Sequence, residues 1–308
     1  MSKVLRIGTR DSQLAVWQAT LVQDLLKEMG VASELVYMKS EGDIDTVTPL
    51  YALGVTGVFT KTLDAALLNN RIDIAVHSMK DVPTQLAQGI QQTAVLKRAS
   101  HKDILVYKNG FDFLNDFNTT ATIATGSIRR IAQWLHRYPN HTVENLRGNV
   151  NTRLRKLKES SWQGAIFAAA GLERIQLRPE NSVDLDWMLP APSQGAIMIV
   201  CRDGDDRVFE SCQPFNDEAT ALCTKIEKDF LRLLMGGCST PISALAQIEN
   251  DTVVFRGNIC STDGVDLIEV MLQKEVPASK ELGEEAARQI LTNDKTKHII
   301  ENIRNGRG

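Results

Sequence analysis

Hydrophobic and polar positions along the first part of the chain predict strands and helices in turn. An apolar run at 4–8 predicts a strand. Apolar side chains then recur every three or four positions from Leu14 to Met29, which predicts a helix that Gly30 ends. The pattern continues as strand, helix and strand over residues 34–38, 60–69 and 72–76. A strand, helix, strand order is typical of a mostly parallel α/β sheet.

A second unit of the same kind is predicted between two links, a polar one at 98–103 and a proline-bearing one at 189–195. Its predicted elements are a strand around Ile123 with a helix after it, then strands at 142–146 and 165–169, and the first unit resumes with a strand at 196–201. Two crossings between two such units predict a hinged cleft, the arrangement of periplasmic-type binding proteins.

The pattern changes after residue 216. A long amphipathic helix is predicted at 218–235, and the elements after it are three strands and two helices at residues 242–247, 253–260, 267–272, 280–291 and 297–303. Strands in succession with helices at either end predict a separate α+β domain with an antiparallel sheet.

The predicted fold class is therefore α/β, with two periplasmic-binding-protein-like domains around a hinged cleft plus a small α+β C-terminal domain. The predicted boundaries are residues 1–98 and 196–214 for domain 1, 102–192 for domain 2 and 216–308 for domain 3.

Composition and charge narrow the class of function. The 308 residues are 43% hydrophobic and carry a formal net charge of -3, which gives no overall electrostatic reason to bind nucleic acid or a membrane. No apolar run approaches the ~18 residues of a membrane span. The chain also begins without the apolar region of a secretory signal, so we expect a cytoplasmic protein.

Cysteine and histidine spacing predicts no metal site. The five cysteines form an odd set without a C-x-x-C pair, which argues against a disulfide framework and against zinc. His136 and His141 are five residues apart, the wrong spacing for two ligands on one helical face.

The stretch 72–83 is the first candidate for chemistry. A β-branched strand ends there in a set of ionisable side chains, His77, Lys80 and Asp81, and Pro83 should push Val82 into an extended conformation. Open α/β sheets bind ligands beyond the carboxyl ends of their strands. The stretch therefore predicts an active site, although an ordinary solvated loop explains it equally well when it is taken alone.

Two predicted helix starts carry hydroxyl and guanidinium groups that suit an anion. Asp11 or Ser12 is expected to cap the first helix beside Arg10, and Ser127 stands in the same relation to Arg129. Residues 121–160 hold eight Lys or Arg against two acids, a local basic excess in an acidic chain. We interpret it as an anion site. A solvated helix face explains Arg137, Lys156 and Lys158, and nucleic acid is the weaker alternative because aromatic residues are not interleaved.

Cys238 is the candidate thiol nucleophile. Two glycines precede it and Ser239, Thr240 and Pro241 follow, which predicts an accessible turn, whereas Cys201 and Cys260 lie in apolar strands. A buried small residue after a helix end would explain Cys238 as well. Cys212 and Cys223 have no distinguishing context.

Four motifs in order give the chain a family resemblance. They are His77-Ser-Met-Lys80-Asp81-Val-Pro83, Gly126-Ser127-Ile-Arg129-Arg130, Leu146-Arg147-Gly-Asn149-Val and Gly236-Gly237-Cys238. With them the chain resembles the porphobilinogen deaminase (hydroxymethylbilane synthase) family over nearly its whole length. The resemblance implies a three-domain transferase of heme biosynthesis with a covalent dipyrromethane cofactor, joined by a thioether to Cys238.

The implied reaction is the condensation of four porphobilinogen molecules on that cofactor, with loss of ammonia from each and release of hydroxymethylbilane by hydrolysis. Asp81 is implied as the catalytic residue, and a buried aspartate suits proton transfer and stabilisation of a cationic azafulvene intermediate. The implied cofactor-binding residues are Lys80, Thr125, Ser127, Arg129, Arg130 and Arg153. The implied substrate-binding residues are Arg10, Ser12, Gln18, Arg147, Asn149, Arg174 and Gln194. The family also implies a monomer that passes its product to uroporphyrinogen-III synthase.

The chain departs from the family pattern in a few places. Many members carry lysines in the loop before Phe59, where this chain has Ala52 and Gly54-Val-Thr56-Gly57, so a loop contact to carboxylate is in doubt. Gly126 stands where serine is common, and Pro192-Ser193 replaces a more flexible pair.

Two other functions compete with this one. A non-catalytic solute-binding protein would use the same cleft, but it would need a signal peptide or lipid anchor and would have no use for Cys238 in an appended domain. A regulatory or structural relative would keep the fold without turnover, although the pair Lys80 and Asp81 is retained.

Overall fold

A computed structural model describes residues 4–39, 60–234 and 240–304 of the chain. The strands in these ranges are β1 (Leu5–Arg10), β2 (Ser33–Met38), β3 (Ile74–Ser78), β4 (Ile90–Val95), β5 (Asp103–Tyr107), β6 (Thr122–Ala124), β7 (Thr142–Glu144), β8 (Gly164–Ala168), β9 (Ser182–Asp184), β10 (Ile197–Arg202), β11 (Ile242–Glu249), β12 (Thr252–Cys260) and β13 (Leu267–Glu275). The helices are α1 (Gln13–Glu28), α2 (Lys61–Leu68), α3 (Ile128–Arg137), α4 (Val150–Glu159), α5 (Ala169–Arg174), α6 (Asp206–Cys212), α7 (Glu218–Leu233), α8 (Leu282–Leu291) and α9 (Asp294–Arg304).

The described residues divide into two compact units. The first unit comprises 4–39, 60–99 and 195–222, and the second comprises 100–194, 223–234 and 240–304. The second unit thus contains residues of both predicted domains 2 and 3. The three-domain boundaries and the hinged cleft stay predictions.

The first unit is built on a five-stranded mixed sheet of order β2-β1-β3-β10-β4. Strands β2, β1 and β3 are parallel, and β10 is antiparallel to both β3 and β4. One apolar cluster joins α1 and α6 to the sheet, and another joins α2 to it. A sheet whose strands are apolar along most of their length has to be covered by helices, which shield it from water.

Helix α1 forms where the apolar period predicts it, but its buried side is displaced. The fully buried residues are Gln18, Ala19, Val22 and Leu26, whereas Trp17 is 37% exposed. Gln18 enters the interior because its amide exchanges hydrogen bonds with the Ser78 hydroxyl at the end of β3, at 3.0 and 3.2 Å. A partner on another element therefore decides the helix orientation.

The second unit contains a sheet of the same form, with order β7-β6-β8-β5-β9. Strands β7, β6 and β8 are parallel, and β5 is antiparallel to β8 and β9. Helices α4 and α5 contribute to one apolar cluster and α3 to another. The predicted pair of α/β sheets is confirmed.

The C-terminal part of the second unit is the predicted antiparallel sheet, of order β11-β12-β13. Helix α8 approaches α7 closely at Gly283, where a side-chain carbon would collide with the Ile226 carbonyl oxygen. Only glycine permits this approach. The α+β prediction for this part of the chain is confirmed, and with it the predicted fold class apart from the hinged cleft.

Several elements lack a sequence prediction, and two earlier predictions fall outside the described residues. The elements without a prediction are the short helices α5 and α6 and the strands β4, β5 and β9, which pair with strands distant in sequence. The loop at 42–57 and the motif with Cys238 lie outside the described ranges. No helix in the described part of the chain is long and apolar enough to cross a membrane.

Aromatic side chains of α3 and its surroundings enclose a buried histidine, His141, in the turn after this helix. The ring of His141 stacks on Tyr138 at 4.8 Å and lies 5.9 Å from the rings of Trp134 and Phe113. Its Nδ1 accepts a hydrogen bond from the Trp134 indole, and only 4% of the residue is exposed. Burial lowers the pKa of His141 below 6.5 because the charged ring cannot be solvated there.

We expect this histidine to make stability fall in weak acid. The unfolded chain binds a proton near pH 6.5, while the folded chain resists it, so the free energy of unfolding decreases as the pH falls from about 6.5 towards the folded pKa, by at most about 1.4 kcal/mol per pH unit. Denaturant unfolding at several pH values, followed by tryptophan fluorescence, measures this slope. His141→Gln should remove it, and His136→Gln, on an exposed ring, should retain it. Parallel curves for wild type and His141→Gln would contradict the assignment.

Candidate active site

The carboxyl ends of β1 and β3 meet at one edge of the first sheet because these strands are parallel neighbours. Arg10 ends β1 and Ser78 ends β3, and a single 3-10 turn, Met79–Asp81, follows. Val82 is extended, with φ -80° and ψ 133°, as the following proline predicts. The predicted strand, turn and extended residue are therefore confirmed, with the strand displaced towards Ser78.

A pocket opens at this edge and gathers predicted site residues. Its volume is about 80 Å³. The polar side chains that line it are those of Arg10, Ser12, Gln18, Thr60, His77, Ser78 and Asp81. Asp81 is half-buried, so the expectation of a buried aspartate is wrong: its 3-10 turn stands at the sheet edge and one side faces solvent. Lys80 is half-buried beside it.

The start of α1 makes this pocket favourable to anions. Ser12 is the N-cap, as predicted, and its hydroxyl accepts a hydrogen bond of 3.4 Å from the Ala15 amide. The first turn has no acidic residue, so nothing in it offsets the positive end of the helix dipole. Arg10 adds a guanidinium beside these amides, and the pocket thus holds one carboxylate among groups that attract carboxylates.

The second sheet presents its parallel ends in the same way. Strands β7, β6 and β8 run parallel, so the segments after them share one edge. These segments hold the predicted residues Thr125, Ser127, Arg129, Arg130, Arg147, Asn149, Arg153 and Arg174. A side-chain carbon at Gly126 would lie 2.6 Å from the Leu146 carbonyl oxygen, so a serine here would require the two turns to move apart.

A buried carboxylate organises the arginines at the start of α3. Asp103 is fully buried and accepts hydrogen bonds from Arg129 Nη2 at 2.7 Å, from Arg130 Nε and Nη2 at 3.1 and 2.7 Å, and from Gln194 Nε2 at 2.9 Å. Burial alone would raise the pKa of Asp103, but the two guanidiniums outweigh it and hold that pKa well below its usual range. Asp103 is therefore ionised and its charge is compensated.

Sequence reasoning did not identify Asp103, which it placed in a polar link. The residue is instead the first of β5. The signal that was available is an acid directly before the apolar run Ile104-Leu-Val106, in a chain with a surplus of arginine nearby. A buried charge needs an opposite charge, which could have suggested the pairing.

These contacts constrain the predicted roles of three residues. Arg130 donates to Asp103 and to the Ile166 carbonyl, and Arg129 donates to Asp103 and to the Leu189 carbonyl. Arg129 Nε is buried and has no hydrogen-bond partner among the described residues. Arg129 Nε is thus available to a ligand, whereas Nε, Nη1 and Nη2 of Arg130 each already donate to protein. Gln194 is 1% exposed, and ligand binding by it would require it to give up Asp103 or the His101 carbonyl.

The start of α4 carries two further predicted residues. Asn149 is the N-cap, and its side-chain oxygen accepts a hydrogen bond of 2.9 Å from the Thr152 amide. Arg147, just before it, is only 3% exposed, and Arg153 in the first turn is half-buried. Arg137, Lys156 and Lys158 behave partly as the solvated-face interpretation predicts, since Arg137 and Lys158 are exposed and Lys156 is half-buried.

The other residues predicted to bind ligands differ in burial and in the hydrogen bonds that they already make within the protein. Ser127 occupies the N-cap position of α3, yet its hydroxyl makes no capping bond. Thr125 is buried, and its hydroxyl accepts from the Ser127 amide at 3.3 Å. Arg174, at the end of α5, is half-buried, and burial lowers its pKa to about 10.

The four described cysteines are poor nucleophiles. All are buried, and burial raises the thiol pKa of Cys201 to about 11 and those of Cys212 and Cys260 to about 12. Cys223 is 6% exposed. The buried position predicted for Cys201 and Cys260 is confirmed, and their lack of reactivity stays a prediction.

Comparisons with known proteins match almost the whole chain. The family model "Porphobilinogen deaminase, dipyromethane cofactor binding domain" matches residues 5–210, and "Porphobilinogen deaminase, C-terminal domain" matches residues 221–292. The porphobilinogen deaminase of Syntrophotalea carbinolica is 40% identical, over 94% of this chain and 93% of its own. That of Acidithiobacillus ferrooxidans is 39% identical, over 99% of this chain and 100% of its own.

Solved structures of solute-binding proteins also resemble the chain at a distance. An ancestral cationic amino acid solute binding protein is 15% identical with a TM-score of 0.45, over 69% of this chain and 87% of its own. At this similarity the match adds nothing to the assignment of a function.

We predict that native protein resists alkylation at the four described cysteines. At pH 8 a thiol of pKa about 11 is ionised in roughly one molecule per thousand, and burial blocks the reagent as well. Iodoacetamide treatment followed by peptide mapping should find positions 201, 212, 223 and 260 unmodified in native protein and modified after denaturation. Modification of any of them at the rate of glutathione would contradict the assignment.

Proposed function

Because the chain belongs to the porphobilinogen deaminase family, we propose that it joins four porphobilinogen molecules head to tail and releases ammonia and hydroxymethylbilane. The observation that supports this most directly is the pocket at the end of β3, which places the Asp81 carboxylate beside Arg10 and the start of α1. A reaction that expels an amine and creates a cationic pyrrole needs a carboxylate in a site that also binds anions.

Asp81 is the proposed catalytic residue. Its carboxylate can accept hydrogen bonds from pyrrole N–H groups, stabilise the positive charge that develops as ammonia leaves, and take up the proton lost when two rings join. Its half-buried position at the sheet edge leaves it open to a substrate on one side. Gln18 and Ser78, hydrogen-bonded to each other, support the wall of the same pocket.

The substrate's acetate and propionate groups call for guanidinium partners. We assign this role to Arg10, Arg147 and Arg174, and we assign neutral hydrogen bonds to the substrate to Ser12, Gln18, Asn149 and Gln194, of which Gln194 would have to give up a protein partner. Arg174 is half-buried, and burial lowers its pKa to about 10, so a carboxylate would stabilise its positive charge there. The Asn149 side chain caps α4. We expect the free backbone amides at the start of this helix, more than the side chain itself, to bind the substrate carboxylate.

The residues at the second sheet edge fit a dipyrromethane cofactor, which carries the same carboxylate groups. The observation that favours the fit is the buried Nε of Arg129, a donor without a partner among the described residues, next to an uncommitted Ser127 hydroxyl. The residues that we assign to cofactor binding are Lys80, Thr125, Ser127, Arg129, Arg130 and Arg153. When bound, the cofactor supplies the pyrrole carbon to which the first substrate is joined.

Cys238 is the proposed attachment residue. Its placement lies outside the described residues, and the support comes from the motif and from the inert character of the other cysteines. We further propose that the protein acts as a cytoplasmic monomer without nucleic-acid or membrane partners and passes hydroxymethylbilane to uroporphyrinogen-III synthase.

Asp81→Asn tests the catalytic assignment. The amide keeps the shape of the side chain but can neither take up a proton nor carry negative charge, so we expect kcat to fall about 10²- to 10⁴-fold while the cofactor stays attached. Porphobilinogen turnover and the intact mass of the protein measure the two quantities. Asp24→Asn removes an exposed carboxylate from α1 and should leave kcat unchanged. Retention of substantial activity by Asp81→Asn would rule out the role.

Cys238→Ser tests the attachment. Denatured wild-type protein should carry an excess mass of two linked pyrroles, located on residue 238 by peptide mapping, and the variant should show the sequence mass alone. Wild-type protein that gains no adduct even after incubation with preformed hydroxymethylbilane would be a binding protein with the family's motifs. An adduct on another cysteine of the variant would overturn the choice of Cys238.

A further inference from the structure

A buried glutamine on α3 joins three parts of the second unit. Gln133 follows Arg129 by one helical turn and is 5% exposed. Its amide nitrogen donates to the Leu189 carbonyl at 3.0 Å and to the Ser243 hydroxyl at 2.9 Å, and its amide oxygen accepts from the Leu189 backbone N–H at 2.9 Å. The amide therefore uses two donors and one acceptor on partners distant in sequence.

The first of these partners also fixes Arg129. The Leu189 carbonyl accepts from Arg129 Nη1 at 2.7 Å, and Asp103 accepts from Nη2 of the same guanidinium. Two anchors define the plane of the guanidinium and thereby the direction of Nε, the buried nitrogen without a partner among the described residues. Gln133 forms hydrogen bonds with both the carbonyl and the backbone N–H of Leu189. The position of the Leu189 carbonyl, one of the two anchors of Arg129, therefore depends on this glutamine.

The second partner lies on the chain that follows Cys238. Ser243 is the second residue of β11, five positions after Cys238, and is fully buried. Its hydroxyl bond to Gln133 fastens the beginning of this strand to α3. A short segment of chain thus separates the proposed attachment residue from a point fixed to the arginine-bearing helix.

We propose that Gln133 is a positioning residue that sets two fixed points of the cofactor site relative to each other, the Arg129 guanidinium and the strand after Cys238. The inference rests on the proposed function. It assigns Gln133 no contact with cofactor or substrate, since all of its amide bonds described above go to protein.

Only a primary amide meets this requirement at position 133. Leucine would leave the Leu189 N–H and the Ser243 hydroxyl buried without their partner, and glutamate would retain the acceptor but lose both donors. Loss of buried hydrogen bonds of this kind corresponds to a change of roughly tenfold or more in an equilibrium constant.

The test is the rate at which apo-protein acquires its covalent adduct. Full-length chains purified without cofactor are mixed with preformed hydroxymethylbilane at a series of concentrations, and adduct on residue 238 is followed by mass spectrometry after denaturation. In this step a carbon–sulfur bond forms at the hydroxymethyl carbon, and the hydroxyl leaves with the thiol proton as water. Thermal unfolding of each apo-protein is measured in parallel.

Gln133→Leu is expected to raise the half-saturating concentration of hydroxymethylbilane about tenfold or more. The reason is that the Leu189 carbonyl, which anchors Arg129, is then no longer held by Gln133. Ser243→Ala removes only the hydrogen bond between Gln133 and the strand after Cys238. It should lower the maximum loading rate with little change in the half-saturating concentration. The matched control is Tyr138→Phe, which removes a hydrogen bond from the same helix to the Leu114 carbonyl, and it should load as wild type does.

Equal loading by wild type and Gln133→Leu, or equal slowing by Gln133→Leu and Tyr138→Phe, would overturn the proposal. If Gln133→Leu does not fold, Gln133→Glu and Ser243→Ala carry the same test, and normal loading by both would overturn it too. Failure of the proposed function is recognised separately, since wild-type protein would then acquire no adduct at all.

Discussion

The buried carboxylate of Asp103 is the interaction on which the second unit depends. It lies at the first residue of β5 and receives hydrogen bonds from the start of α3 and from the link before β10. A buried charge is tolerated only when it is paired, and removal of one partner from such a group typically costs about 3–5 kcal/mol. One side chain therefore ties a strand, a helix and a link together. It also offsets one of the two positive charges that Arg129 and Arg130 bring to the proposed cofactor site.

Both α/β sheets place their chemistry by the same rule. Parallel strands end at a common edge, and the segments that follow them begin helices whose free amides favour anions. The first sheet adds a carboxylate, Asp81, to this edge, and the second adds arginines. This division suits substrates that carry carboxylates and become cationic as they react, since carboxylate recognition and stabilisation of positive charge require groups of opposite sign.

Arg129 and Arg130 hold the fold together through hydrogen bonds and are also proposed to bind a ligand. The bonds within the protein limit how many of their N–H groups a ligand can use. Arg130 is committed to Asp103 and Ile166, whereas Arg129 keeps Nε. Gln194 was expected to contact substrate, yet the fold gives its amide to Asp103 and to a backbone carbonyl. A motif specifies which side chains occur together, but the partners that already hold them decide which donors remain for a ligand.

The sequence by itself determined the order of most helices and strands, a cap of the first helix at Asp11 or Ser12, the extended Val82 before proline, and the family to which the chain belongs. These features depend on period, on capping and on residues a few positions apart, which are written locally in the chain. Only the tertiary structure decided the displaced buried side of α1, the antiparallel insertion of β10 beside β3, and the pairing of Asp103 with α3. Each of these rests on partners that are distant in sequence, and burial of a polar group becomes favourable only once folding has brought its partner to it.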